Sequence, residues 1–100
     1  MPSFNTEVSH SLGKEKAKQR LESFLDRAAQ VYKDQVSELR GEWSGDTLNF
    51  HMTTYGFTIS GDLAVEEESV KMQGQLPFAA VAFRGKIEKS FAKELQRALN

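Results

Sequence analysis

The hydrophobic period of this chain changes twice, and no other feature restricts its fold as much. Ala17, Leu21, Phe24, Leu25, Ala28, Val31 and Tyr32 recur at three- to four-residue steps, with Lys14, Lys18, Glu22, Asp26 and Lys33 between them. That is the pattern of an amphipathic helix. From Val36 to Leu76 the period falls to two. Leu48, Phe50 and Met52, then Phe57, Ile59, Gly61, Leu63 and Val65, then Val70, Met72, Gly74 and Leu76 alternate with mostly polar neighbours, as strands with one buried face do. The helical step then returns. Ala80, Phe83, Ile87, Phe91, Leu95 and Ala98 fall on one side of a wheel, with Lys86, Lys89, Lys93 and Arg97 opposite. A helical arm, a run of strands and a second helical arm describe an α+β domain.

Turn chemistry sets the boundaries. Ser11 can cap a helix running over roughly 12–34, and Phe4, Thr6 and Val8 alternate as a short edge strand before it. A strand over about 37–43 ends at Trp43, where Ser44-Gly45-Asp46 supplies a tight hairpin. Tyr55-Gly56 and Glu66-Glu67-Glu68-Ser69 supply the next two turns. Connections this short make antiparallel pairs, since a parallel crossover needs a dozen or more residues. Gly61 within its strand predicts a bulge that curves the sheet. Pro77 opens a helix over 78–99, in which Gly85 predicts a kink or a close backbone approach. The order is β-α-β-β-β-β-α: a curved antiparallel sheet of four to five strands with two helices packed on one face.

One hundred residues form one domain, 1–100. The absence of cysteine excludes disulfides, thiolate metal sites and cysteine nucleophiles. A net charge of -1 leaves no bulk argument for nucleic acid. No apolar run approaches the ~20 residues that span a bilayer, and no signal-peptide core precedes the first strand, so a cytoplasmic location without a transmembrane segment is expected. Charge is uneven along the chain. Residues 41–76 carry Lys71 against Glu42, Asp46, Asp62, Glu66, Glu67 and Glu68, whereas residues 77–100 carry Arg84, Lys86, Lys89, Lys93 and Arg97 against Glu88 and Glu94.

No constellation for catalysis stands out. His10 lies between a strand and a helix and His51 falls on a polar strand face; neither has neighbours that define a triad or a metal site. His10 reads as a local hydrogen-bonding or capping residue and His51 as a solvated one. The Glu66-Glu67-Glu68 run lacks the spacing of a calcium loop and reads as a solvated hairpin tip. No catalytic residue, metal or cofactor is expected. Binding has more support. Lys86, Lys89, Lys93 and Arg97 form a basic stripe that suits an anionic surface, although a solvated helix face is the plainer account. Trp43, Tyr55 and Phe57 near strand ends, with Phe78, Val81 and Phe83 adding more apolar surface than one helical stripe requires, suit a ligand pocket or a contact with another chain.

The ordered set Pro2-Ser3-Phe4, His10-Ser11-Leu12-Gly13, Ala17 with Arg20-Leu21, Trp43-Ser44-Gly45-Asp46-Thr47-Leu48, Tyr55-Gly56-Phe57, Ile59-Ser60-Gly61, Leu76-Pro77-Phe78-Ala79-Ala80 and Gly85-Lys86-Ile87-Glu88 resembles the putative polyhydroxyalkanoic acid system protein family across nearly the whole chain. The resemblance implies a small bacterial protein encoded beside genes for making and using polyhydroxyalkanoate granules. On that basis the expected role is a noncatalytic accessory or interaction protein of this metabolism, meeting the granule surface or a granule-associated protein. The tail from Leu76-Pro77 is also similar to the end of helix-grip, polyketide-cyclase-like domains, which implies the alternative of an acyl or hydroxyacyl carrier or cyclase-like enzyme. An open sheet edge and the surplus apolar residues predict a homodimer, through sheet edges or the start of the C-terminal helix.

Overall fold

The computed structural model describes residues 2–54 and 56–100. Strands β1 (Ser3–Ser9), β2 (Val36–Ser44), β3 (Thr47–Thr54), β4 (Phe57–Val65) and β5 (Ser69–Gln75) form one antiparallel sheet in the order β1-β5-β4-β3-β2. Helices α1 (Lys14–Leu21), α2 (Phe24–Val31) and α3 (Arg84–Leu99), the last preceded by a 3-10 helix (Phe78–Phe83), cover one face. The three hairpins leave β2 and β5 far apart, so β1 closes on β5 while the α1–α2 arm carries the chain across to β2 at the other edge. Gly45 (φ 62) and Gly56 (φ 80) take the left-handed conformations that the first two hairpin turns need.

The covered face holds the core: Phe4, Val8, Leu48, Phe50, Ile59, Leu63, Val65, Val70, Met72 and Leu76 of the sheet and its margins against Ala17, Leu21, Phe24, Ala80, Leu95, Ala98 and Leu99 of the helical layer, all buried. Each large side chain removed from water in this way contributes ~1.5–3 kcal/mol before entropy is charged against it. One cross-strand row organises the interior: Phe4–Gly74–Gly61–Phe50–Gly41 from β1 to β2. The paired glycines leave a trough between two phenylalanines, and Phe91 of α3 enters it. Its ring lies 5.7 Å from that of Phe4, stacked, and 5.9 Å from that of Phe50, tilted. At the end of the row Leu25 of α2 packs on Gly41, where a Cβ would collide with it.

Several expectations are corrected here. The register runs unbroken through Gly61, so this glycine makes no bulge; a side chain there would strike the backbone of Gln73 and Gly74, and the residue permits close approach instead. The first helical arm is broken at Glu22–Ser23. The break turns the chain so that Phe24 is buried and Leu25 reaches Gly41, and the guanidinium of Arg27 donates to the carbonyl of Arg20 left free at the end of α1, at 3.0 Å. The last arm is likewise divided. Its 3-10 segment buries Ala80 but turns Phe83 outward, and Gly85, in the first turn of α3, faces open space and makes no close contact.

Candidate functional site

The six expected aromatic and apolar candidates do not form one group. Trp43 faces the helices beside the β2–β3 turn, half-buried against the core, where Lys18 of α1 lies 5.3 Å from its ring centroid and donates to the Gly45 carbonyl at 2.6 Å. Phe57 is at the far end of the sheet, also half-buried against the core. Tyr55 lies outside the described residues. Phe78, Val81 and Phe83 share the 3-10 helix, which leaves β5 at the same end of the sheet as Phe57. Phe78 is 80% exposed and Phe83 51%, whereas Val81 is half-buried.

The helix that follows carries its charges asymmetrically. Glu88 turns to the sheet edge, where its Oε2 accepts the Asn5 N–H of β1 at 2.7 Å. Glu94 turns to α2, where its Oε1 accepts the Tyr32 hydroxyl at 2.9 Å. Its side chain is only 12% exposed, and Arg97 approaches the same oxygen at 3.5 Å. Burial, then the hydrogen bond and the negative charge of Glu94, raise the Tyr32 phenol above its ordinary value. With both carboxylates committed inward, the outward charges on α3 are cationic: Arg84, Lys86, Lys89, Lys93 and Arg97 are all exposed. Gly85, Lys86, Lys89, Ser90 and Lys93 line a shallow depression of about 440 Å³, because Gly85 has no side chain to fill the start of the stripe. The stripe begins one turn beyond the exposed Phe83.

A second depression, about 290 Å³, is lined by Val8, Ser9, His10, Ser11, Leu12, Gln96, Leu99 and Asn100. Beside it stands an arrangement the sequence did not disclose. The N-cap of α1 is Gly13 (φ 82), with no side-chain cap, in place of Ser11. The Glu66–Glu68 turn supplies what the local sequence lacks: Glu67 Oε1 accepts the Lys14 N–H at 3.4 Å, and the Glu68 carbonyl accepts the His10 N–H at 2.9 Å. His10 Nδ1 accepts the Leu12 N–H at 3.1 Å, which leaves Nε2 to carry the proton and donate to the Glu66 carbonyl at 3.0 Å. Glu67 is thus a cap delivered from across the fold, where negative charge complements the helix dipole, while the acidic turn that carries it stays exposed, as a solvated hairpin tip does. His10 is the local capping residue its position suggests. His51 is exposed on the polar sheet face, paired in register with Arg40 and Ser60.

Among the described residues no three His, Cys, Asp or Glu side chains gather as a metal set would require, and no helix is long and apolar enough to cross a membrane. The depression on α3 lies on its outer side, and the other lies at one end of the fold, between β1 and the C-terminal turn of α3; neither is lined by the Phe4, Phe50 and Phe91 rings that meet between the sheet and the helices.

The profile of one family, described as putative polyhydroxyalkanoic acid system protein, matches residues 5–99. No curated protein matches the chain. Among solved structures, DynU16 from the dynemicin biosynthetic locus is similar over 97% of this chain at 13% identity, with a TM-score of 0.62. The chain spans 46% of that structure's length. The Aha1 dimer from Colwellia psychrerythraea is similar over 99% of this chain and 94% of its own, at 14% identity and a TM-score of 0.58. These likenesses establish the fold, a helix-grip-like α+β sheet, and at such identities nothing beyond it.

Proposed function

Because the chain belongs to the putative polyhydroxyalkanoic acid system protein family, we propose that it is a noncatalytic accessory protein of polyhydroxyalkanoate metabolism, acting in the cytoplasm at the granule surface. The observation that carries this is the exposure of Phe78 and Phe83 in the segment leading into a helix whose outward charges are cationic and whose carboxylates face inward. Rings that enter an apolar layer beside ammonium groups that meet anionic groups at its rim are the chemistry of an interfacial helix. The residues of contact are Phe78, Phe83, Lys86, Lys89, Lys93 and Arg97, with Val81 supporting the segment from below. Phe57 serves packing, and Trp43 lies on the opposite edge strand, outside this contact. The protein works as a homodimer, which presents two such faces and multiplies weak surface affinity.

Deletion of the gene in a polymer-accumulating host, with fractionation of its granules, tests this. Altered granule number, size or polymer content, and recovery of the protein with the granules, are expected. Unchanged granules without the protein overturn it.

A further inference from the structure

The two edges of the sheet differ in one respect. Along β1, the backbone groups that point away from β5 belong to Ser3, Asn5, Glu7 and Ser9, because the alternate residues bond to β5, as the flanking bonds Leu76 N–H to Pro2 carbonyl and His10 N–H to Glu68 carbonyl show. Asn5 gives its outward N–H to Glu88, and α3 packs along this strand. That edge is blunted by a helix. On the opposite edge, the Val65 N–H to Asp46 carbonyl bond sets which β3 residues bond to β4. By alternation Thr47, Asn49, His51 and Thr53 bond to β2 through Ser44, Glu42, Arg40 and Glu38. Leu39, Gly41 and Trp43 therefore turn their N–H and C=O groups outward, and no side chain among the described residues takes them.

We infer that β2 pairs antiparallel with β2 of a second copy, about a two-fold axis through Gly41, and so joins the two sheets into one. The inference rests on the self-association proposed above and names its surface. In this register Gly41 faces Gly41 and Leu39 faces Trp43 of the other copy, so every outward N–H and C=O of these three residues finds a partner. On the polar face, Arg40 of each copy meets Glu42 of the other. Arg40 is already held by Glu38 at 2.7 Å within its own strand, but its side chain is 72% exposed, so its guanidinium can reach a second carboxylate. On the helix face two half-buried apolar side chains, Leu39 and Trp43, meet in each pair. Leu25, which packs on Gly41, comes nearest the axis.

Neighbouring registers fail. An axis through Arg40 opposes Arg40 to itself and Glu38 to Glu42. One through Glu42 opposes two carboxylates. One through Leu39 keeps an opposite-charge pair, Glu38 with Arg40 of the other copy, but sets Val36 against Glu42 and leaves Trp43 outside the ladder. Like charges directly opposite destabilise a pair and opposite charges stabilise it, which disfavours the Arg40 and Glu42 axes, and between Leu39 and Gly41 only the Gly41 axis keeps Trp43 within the ladder.

Light scattering at micromolar concentration, combined with charge exchange, tests the inference. The wild-type chain is expected at twice its 11.3 kDa. Arg40→Glu and Glu42→Arg, both at exposed positions, each give a folded monomer by circular dichroism, and the double variant Arg40→Glu/Glu42→Arg recovers the dimer. Because the chain has no cysteine, Arg40→Cys/Glu42→Cys reports the register directly. The two positions form a non-hydrogen-bonded pair, with Cα atoms about 4.5 Å apart, and oxidation should give a covalent dimer. A wild-type mass that stays near 11.3 kDa as concentration rises overturns both this surface and self-association. A dimer that survives both single reversals and fails to cross-link overturns the β2 surface while self-association stands.

Discussion

Gly74 carries the Phe4 ring directly over its backbone, and an added Cβ would meet the Phe4 Cε1 and Cζ atoms at 2.6 and 2.8 Å as well as the Ser60 carbonyl. The ring can shift; the backbone oxygen of a paired strand cannot. Gly74→Ala should therefore cost about 1–3 kcal/mol, the range for overpacking, measurable by urea denaturation. Phe91→Ala removes the ring that fills the trough from the other side. Phe91 is partly exposed, so the loss should fall near the lower end of the range for such truncations, about 3 kcal/mol. At Tyr32 the effect depends on pH. Its phenol is raised above 10.0 by burial and by Glu94. The neutral form is thus favoured on folding, and its contribution is present below that value and lost as pH rises through the raised pKa. Tyr32→Phe should destabilise by at most about 1 kcal/mol at neutral pH, since the pair is partly exposed to solvent. At strongly alkaline pH the wild type should lose its advantage over the variant in parallel thermal melts; a gap independent of pH would contradict this account.

At the scale of elements, α1 depends on a distant turn. Glu67→Gln keeps the shape of the side chain and removes the charge that faces the helix N-terminus. A loss of about 0.3–1 kcal/mol is expected, shrinking as salt is added because the groups are exposed; a loss unchanged by salt would point to packing. α3 offers the opposite case. Gly85 has a negative φ and open space around it, so Gly85→Ala should stabilise by about 0.4–1 kcal/mol through the unfolded chain, seen as a raised melting temperature. The 3-10 segment before it holds Ala80 and half-buries Val81 while Phe78 and Phe83 stand in water. A continuous α-helix from Phe78 would have carried Phe83 onto the stripe of Ile87 and Phe91.

The molecule as a whole is a sheet with one polar face, one packed face, one helix-covered edge and one open edge. The proposed surface binding and the proposed self-association would use different parts, the α3 side and the β2 side, which lie at opposite ends of the strand order. Phe78→Ser/Phe83→Ser should leave thermal stability unchanged, since neither ring is in the core, and should lower recovery of the protein with granules. Recovery of the wild type should fall with ionic strength, because the Lys86, Lys89 and Lys93 contribution is screened within about 10 Å at 0.1 M salt. Binding that is insensitive to salt would assign the contact to apolar surface alone.

The alternation of Leu48, Phe50 and Met52, the Ser44-Gly45-Asp46 turn and the apolar stripe of α3 determined the α+β class, the antiparallel pairing and the face that the helices cover. These are local facts, since a period and a turn are written in consecutive residues. The placement of β1 beside β5 was not, nor was the role of the glycines. Gly61 reads as a bulge until Gly74 is known to lie opposite it and Phe91 above the pair. Glu67 reads as one more residue of a solvated tip until the fold brings the N-terminus of α1 to its carboxylate. Glu88 and Glu94 look like ordinary members of a mixed helix until β1 and α2 claim them and leave the outer face cationic. In each case the partner is distant in the chain, and only packing, which acts on neighbours in space, decides what the residue does.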